Sequence, residues 1–260
     1  MRHILVIGAG RSASSLIKYL LENSEKENLH VTIGDLSEEL AKQKTNHHKN
    51  ATAIAFDIFN ETQRKAEIQK ADIVVSMLPA HLHLEVAKDC ITYKKHMVTA
   101  SYISPAMQEL DAAAKENGLV FMNEIGLDPG IDHMSAMKVL DEIREKGGNI
   151  ILFESFCGGL VAPESDTNLW NYKFTWNPRN VVLAGQGGAA KFIQEGNYKY
   201  IPYSKLFRRT EFLEVEGYGR FEAYANRDSL KYRSVYGLDD ALTCYRGTIR
   251  RVGYSRAWDI

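Results

Sequence analysis

Gly8-Ala9-Gly10-Arg11-Ser12-Ala13 sets two glycines and an alanine at the spacing G-x-G-x-x-A. The apolar run 4–7 leads into it, and Ala13, Leu16, Ile17, Leu20 and Leu21 follow at helical spacing. A strand, this turn and a helix, at the start of a βαβ unit, form a pyrophosphate-binding motif. Gly8 permits the tight turn, Gly10 has no Cβ to keep phosphates off the backbone, and Ala13 lets the helix pack close to the strand. Arg11 and Ser12 open the helix, where free amides and a partial positive charge hold phosphates. A dinucleotide is therefore expected on Gly8, Gly10, Arg11, Ser12 and Ala13.

The second apolar run ends at Asp35. A carboxylate there accepts hydrogen bonds from the adenosine ribose hydroxyls and repels a 2′-phosphate. No arginine follows in the next several residues, so the expected cofactor is NAD in preference to NADP. The plainer reading of Asp35 is a helix cap, a role that Ser37 can already fill. Ligands in such folds lie beyond the carboxyl ends of the strands. Leu78 and Pro79, after the fourth run, should therefore border the cofactor. His81 and His83 are expected to face solvent in the first turn of the next helix.

Two later stretches collect polar groups. Ala100-Ser101-Tyr102-Ile103-Ser104-Pro105 follows the fifth run and puts Tyr102 at the mouth of the cofactor cleft. Asn123-Glu124-Ile125-Gly126-Leu127-Asp128-Pro129-Gly130-Ile131-Asp132-His133 follows the sixth. Pro129 favours an extended Asp128 and itself suits the first positions of a helix. On the residues alone, Asp128 is as well read as a helix cap as a catalytic carboxylate.

The elements that must position these groups alternate. Short apolar runs at 4–7, 31–33, 53–56, 73–75, 97–99 and 119–122 are separated mostly by helical patterns at 12–21, 62–70, 81–90 and 105–117. That alternation predicts a doubly wound parallel sheet of the Rossmann type over 1–126. After 126 the pattern changes. A helix is expected over 131–146 and a strand over 151–156, followed by turn formers (Asn177-Pro178, Gly185, Gly187-Gly188) and short strands such as 220–224 and 248–254. Residues 127–260 thus read as an α+β substrate domain with a mainly antiparallel sheet.

Composition narrows the function classes. The net charge of −1 lacks the basic surplus of proteins that neutralise nucleic-acid phosphates. Cys90, Cys157 and Cys244 are odd in number and far apart, which argues against a disulfide framework and a zinc site, so no metal is expected. No apolar stretch approaches a membrane span, and the run before Gly8 is too short for a signal peptide. The expectation is a cytoplasmic protein.

Six segments, in order along the chain, resemble the saccharopine dehydrogenase and saccharopine reductase family. They are VTASYISPAM (98–107), NEIGLDPGIDHMSAM (123–137), SFCGGLVAPESDTN (155–168), NYKFTWNPRNVV (171–182), YANRDSLKY (224–232) and RGTIRRVGYS (246–255). The likeness is greatest to the NAD-dependent, glutamate-forming type. It implies oxidation of the secondary amine of saccharopine, a small substrate with three carboxylates, to glutamate and aminoadipate semialdehyde. It places Tyr102, Asp128 and Cys157 near that amine, with Cys157 a packing or positioning group. It gives Lys173 and Arg227 the carboxylates; a surface bridge from Arg227 to Asp228 is the bland alternative.

The sequence departs from the pattern at Trp170-Asn171 and at the glycines of 185–188. Members of the family also continue past residue 260, so a truncated chain is expected, with an exposed sheet edge and an apolar face, and a homodimer formed through that face. Two rival readings are a related carboxyamine oxidoreductase, such as carboxynorspermidine dehydrogenase, and a non-catalytic dinucleotide-binding fragment.

Overall fold

A computed structural model describes residues 1–174, 178–183 and 188–259. Of the glycine and turn positions read from the sequence, Asn177, Gly185 and Gly187 lie outside the described residues. The chain divides into two compact units, Met1–Ile131 and Asp132–Ile260.

The first unit alternates strand and helix. Its strands are β1 (Arg2–Ile7), β2 (Leu29–Asp35), β3 (Ala51–Ala55), β4 (Ile73–Ser76), β5 (His96–Thr99) and β6 (Phe121–Met122). Its helices are α1 (Ser14–Glu22), α2 (Glu38–Thr45), α3 (Glu61–Lys70), α4 (His83–Thr92), α5 (Pro105–Gln108) and α6 (Asp111–Glu116). All strand pairs are parallel, in the order β3-β2-β1-β4-β5-β6. The order therefore reverses between β1 and β4, and a crevice opens at such a switch point beyond the carboxyl ends of the strands. The strands are continuously apolar because both faces are covered. Leu5, Ile7, Val74 and Met97 pack with Ile68 and Val86 in one cluster, and Val6, Val31 and Ile33 pack with Ile17 in the other.

Local chemistry sets the helix ends. Ser37 Oγ accepts from Leu40 N at 3.2 Å and starts α2, and Asn60 Oδ1 accepts from Gln63 N at 3.1 Å and starts α3. The single helix expected over 105–117 is two, because Leu110 N bonds to Met107 O, a tighter step than the α-helical one, before α6 resumes. Arg64 Nε and Asp89 Oδ2, both buried and 2.6 Å apart, tie α3 to α4.

The second unit opens with α7 (Ile131–Glu145) and β7 (Leu152–Cys157), followed by the short α8 (Pro178–Leu183). Its further strands are β8 (Ala190–Gln194), β9 (Asn197–Ile201), β10 (Thr210–Val215), β11 (Gly219–Ala225) and β12 (Thr243–Arg251). The sheet order is β10-β11-β12-β8-β9, with β7 paired to β12. The β7–β12 pair is parallel and the rest are antiparallel. Strand β12 begins earlier than the alternation at 248–254 suggests and stops sooner. Gly253, at φ +102, turns the chain into α9 (Tyr254–Trp258). Among the described residues no helix is long and apolar enough to cross a membrane.

Candidate active site

In the first unit, Gly8 and Gly10 have different jobs. Gly8 sits at φ +105, and a Cβ there would lie 3.0 Å from Met77 O, so the close approach of the loop after β4 demands a glycine. Gly10 has ordinary backbone angles, φ −64 and ψ −178, and a Cβ there would meet nothing within 4 Å. Its missing side chain leaves open space outside the protein, as a pyrophosphate requires. Arg11 and Ser12 are exposed, and Ala13 is buried with Ile17 against the sheet. The turn thus fits a dinucleotide.

Asp35 does not end free. Its Oδ2 accepts from Ala9 N at 2.8 Å and its Oδ1 accepts from Ser37 N at 3.0 Å. The carboxylate braces the glycine turn against the end of β2, while Ser37 caps α2. Leu78 is partly buried against the core, and exposed Pro79 starts the 3-10 turn Ala80–Leu82.

The loops after β5 and β6 meet. The Tyr102 hydroxyl donates to Asp128 Oδ1 at 2.5 Å. Ile103 N donates to Glu124 Oε1 at 2.9 Å, and Glu124 N to Ser101 O at 3.1 Å. The glycines that flank Asp128 close its loop. Gly126 N bonds to Pro129 O at 2.8 Å and Ile131 N to Gly126 O at 3.0 Å; a Cβ on Gly130 would lie 2.1 Å from Gly126 O. The Asp128–Pro129 peptide bond is cis. Helix α7 starts at Ile131, three residues after Asp128.

His83 corrects an expectation. Only 4% of it is exposed, in place of the solvent-facing position expected; His81 is exposed. The ring turns inward because hydroxyls await it there. Nδ1 is 2.8 Å from Ser76 Oγ, and Nε2 is 2.8 Å from Ser101 Oγ and 3.2 Å from Thr99 Oγ1. Burial, and to a lesser degree the neighbouring His81, lowers its pKa to about 4. The unfolded chain takes up this proton near the ordinary histidine pKa of about 6.5, and the folded chain only near 4. The stability held by neutral His83 is therefore complete above pH 6.5 and lost as pH falls toward 4. Melting temperatures of the wild type and His83→Asn, measured from pH 7.5 to 4.5, should converge on acidification; a constant gap would count against this.

In the second unit, Cys157 ends β7 opposite Thr248 and is half-buried. Gly158 follows, where a Cβ would lie 2.1 Å from Ile249 O. Lys173 is exposed, and its Nζ donates to Ser165 O at 2.5 Å and Thr167 Oγ1 at 3.1 Å. Arg227 is exposed, at φ +41, with its carbonyl accepting from Lys191 N at 2.6 Å. Asp228 pairs with Lys191 Nζ at 3.4 Å.

Sequence reasoning missed a buried polar cluster here. Arg246 Nη2 donates to Asp132 Oδ2 at 2.6 Å, with both side chains less than a tenth exposed. Its guanidinium lies 4.4 Å from the Tyr232 ring centre. His133 stacks on Tyr232 at 5.3 Å, and its Nδ1 bonds to the Tyr236 hydroxyl. Burial pushes the Tyr236 hydroxyl far above the ordinary phenol range. Cys244, Arg246, Thr248 and Arg250 alternate along β12, so they share one face. That alternation was the available signal.

Two family models cover nearly the whole chain. "Saccharopine dehydrogenase NADP binding domain" matches residues 4–122, and "Saccharopine dehydrogenase C-terminal domain" matches 126–260. The chain belongs to the saccharopine dehydrogenase family. A saccharopine dehydrogenase [NADP(+), L-glutamate-forming] of Pyricularia oryzae is 39% identical over 97% of this chain and 55% of its own length. The mitochondrial alpha-aminoadipic semialdehyde synthase of Mus musculus is 34% identical over 98% of this chain and 27% of its own. The apo saccharopine dehydrogenase (L-Glu forming) of Saccharomyces cerevisiae superposes with a TM-score of 0.89 and 34% identity, over 98% of this chain and 56% of that one. The chain spans about half the length of these fungal relatives.

The comparisons correct the cofactor preference. The matched model is an NADP-binding domain, and the fungal relatives are named for NADP(+), against the NAD expected from Asp35. The structure gives the physical reason. Asp35 is engaged with the amides of Ala9 and Ser37, so its place at the end of β2 is accounted for without a ribose.

Proposed function

We propose that the chain oxidises the secondary amine of saccharopine with NADP+ and water, giving glutamate, aminoadipate semialdehyde, NADPH and a proton. The observation that carries this reading is the Tyr102–Asp128 hydrogen bond, formed by loops beyond the carboxyl ends of β5 and β6 in a unit with an open pyrophosphate turn. Family membership supports it. The amides after Gly10 hold the pyrophosphate, and exposed Arg11 offers a cation to the 2′-phosphate. Bound NADP+ supplies the hydride acceptor.

Asp128 takes the proton of the substrate amine, with the Tyr102 hydroxyl fixing the carboxylate, and returns a proton to nitrogen when the carbinolamine collapses. Arg227 and Lys173 hold substrate carboxylates, the arginine through its planar fork. Cys157 is a positioning group; no covalent intermediate is needed.

Reduced nicotinamide absorbance, followed with saccharopine and NADP+, tests the reaction. Asp128→Ala should lower kcat by about 100-fold with the fold intact. Unchanged turnover would remove Asp128 from the mechanism. Turnover of carboxynorspermidine in place of saccharopine would reassign the substrate, and dinucleotide binding with no amine oxidised would refute the reaction.

A further inference from the structure

His83 is buried and takes no part in the chemistry proposed above. Its ring spans three elements. Nδ1 meets Ser76 at the end of β4, the ring itself rides on the first residue of α4, and Nε2 meets Thr99 and Ser101 at the end of β5. Ser101 is the residue before Tyr102. The next residue, Ile103, is held by its amide bond to the Glu124 carboxylate. Ser101 is gripped three times: its Oγ by His83, its amide by Thr99 Oγ1 at 3.3 Å, and its carbonyl by Glu124 N. Tyr102 is more than a third exposed, and it is carried by the backbone between Ser101 and Ile103, both of which are held. The placement of its hydroxyl against Asp128 depends on the backbone to either side.

The chemistry of the ring suits this task. A neutral imidazole carries one donor and one acceptor on opposite sides, and a serine hydroxyl can answer either. The Ser76–His83–Ser101 chain is thus satisfied at both ends in either tautomer, and it stays neutral well below neutral pH.

We infer that His83 is a positioning residue, which locks Ser101 to the end of β4 and so aims the Tyr102 hydroxyl at Asp128. The inference rests on the proposed function for its kinetic readout only.

Two isosteres separate positioning from bulk stability. Asparagine places its amide where Nδ1 lies and keeps the link to Ser76; glutamine reaches the place of Nε2 and keeps the link to Ser101. His83→Asn should lower kcat with saccharopine by about 10- to 100-fold, with the KM for NADP+ held within about threefold. His83→Gln should retain kcat within about threefold of the wild type. Ser101→Ala, which cuts the same link from the other side, should match His83→Asn, and the double variant should be no worse than either single one.

A second readout needs no substrate. With 13Cζ-labelled tyrosine, the Tyr102 resonance (assigned through Tyr102→Phe) should shift in His83→Asn and Ser101→Ala and stay in place in His83→Gln. Equal kcat losses in the two His83 variants, or an unmoved Tyr102 resonance in His83→Asn, would overturn the inference. If the wild type does not turn over saccharopine, the proposed function fails, and the resonance decides the role of His83.

Discussion

Replacing Gly10 with valine is expected to weaken dinucleotide binding by about a hundredfold or more while lowering the melting temperature by no more than about 3 °C. The two effects separate because Gly10 has a backbone any residue can adopt and empty space where a side chain would go. Nothing in the fold is displaced. The ligand is, because isopropyl atoms fill the approach to the amides of the turn. Hydrogen bonds to a charged group contribute about 1.5–3 kcal/mol each, so losing two of them already accounts for the factor. Gly8→Ala should behave in the opposite way. It forces a non-glycine residue to φ +105 with a Cβ 3.0 Å from Met77 O, and should cost about 2 kcal/mol of stability before any ligand is added. Titration of NADPH fluorescence and thermal melts on both variants check the pair. Tight NADPH binding by Gly10→Val would mean that the turn is not the pyrophosphate site.

The same contrast shows how far the residues could be read without coordinates. The geometry of the G-x-G-x-x-A turn was legible because it is local: a tight turn, a face without a side chain and a packing contact within a few consecutive residues. The parallel sheet was legible because burial on both faces leaves apolar runs. Asp35 was misread because its partners, Ala9 and Ser37, are brought to it by the turn and the helix start, and their amides leave no mark on side-chain pattern. His83 was misread for a similar reason. Its place at the start of α4 suggests solvent, and only the serines of two other strand ends make the interior welcoming. Tyr102 and Asp128 came from strand-end placement and family resemblance; their contact across two loops is tertiary information. For the polar cluster around Arg246 only the alternation along β12 was legible; the pairing was not, since Asp132 and Arg246 are far apart in the chain and each looks like an ordinary surface charge.

That cluster carries the largest stability effect. Asp132→Ala should destabilise the second unit by about 3–5 kcal/mol, because it removes the carboxylate 2.6 Å from an Arg246 guanidinium of which less than a tenth of the side chain reaches water. Arg246→Met should cost less, because His133 Nε2 lies 3.8 Å from Asp132 Oδ1 and stays beside the carboxylate. Replacing both, as Asp132→Leu with Arg246→Met, should cost clearly less than the two single changes together, since no uncompensated charge is then left inside. Trp170, Trp176 and Trp258 all belong to the second unit by sequence, so urea unfolding followed by tryptophan fluorescence reports on it selectively. NADPH binding by the first unit, whose turn and braces are complete within residues 1–131, should survive each change. Strictly additive losses would show that the pair is not energetically coupled. The charges would then be answered by other groups.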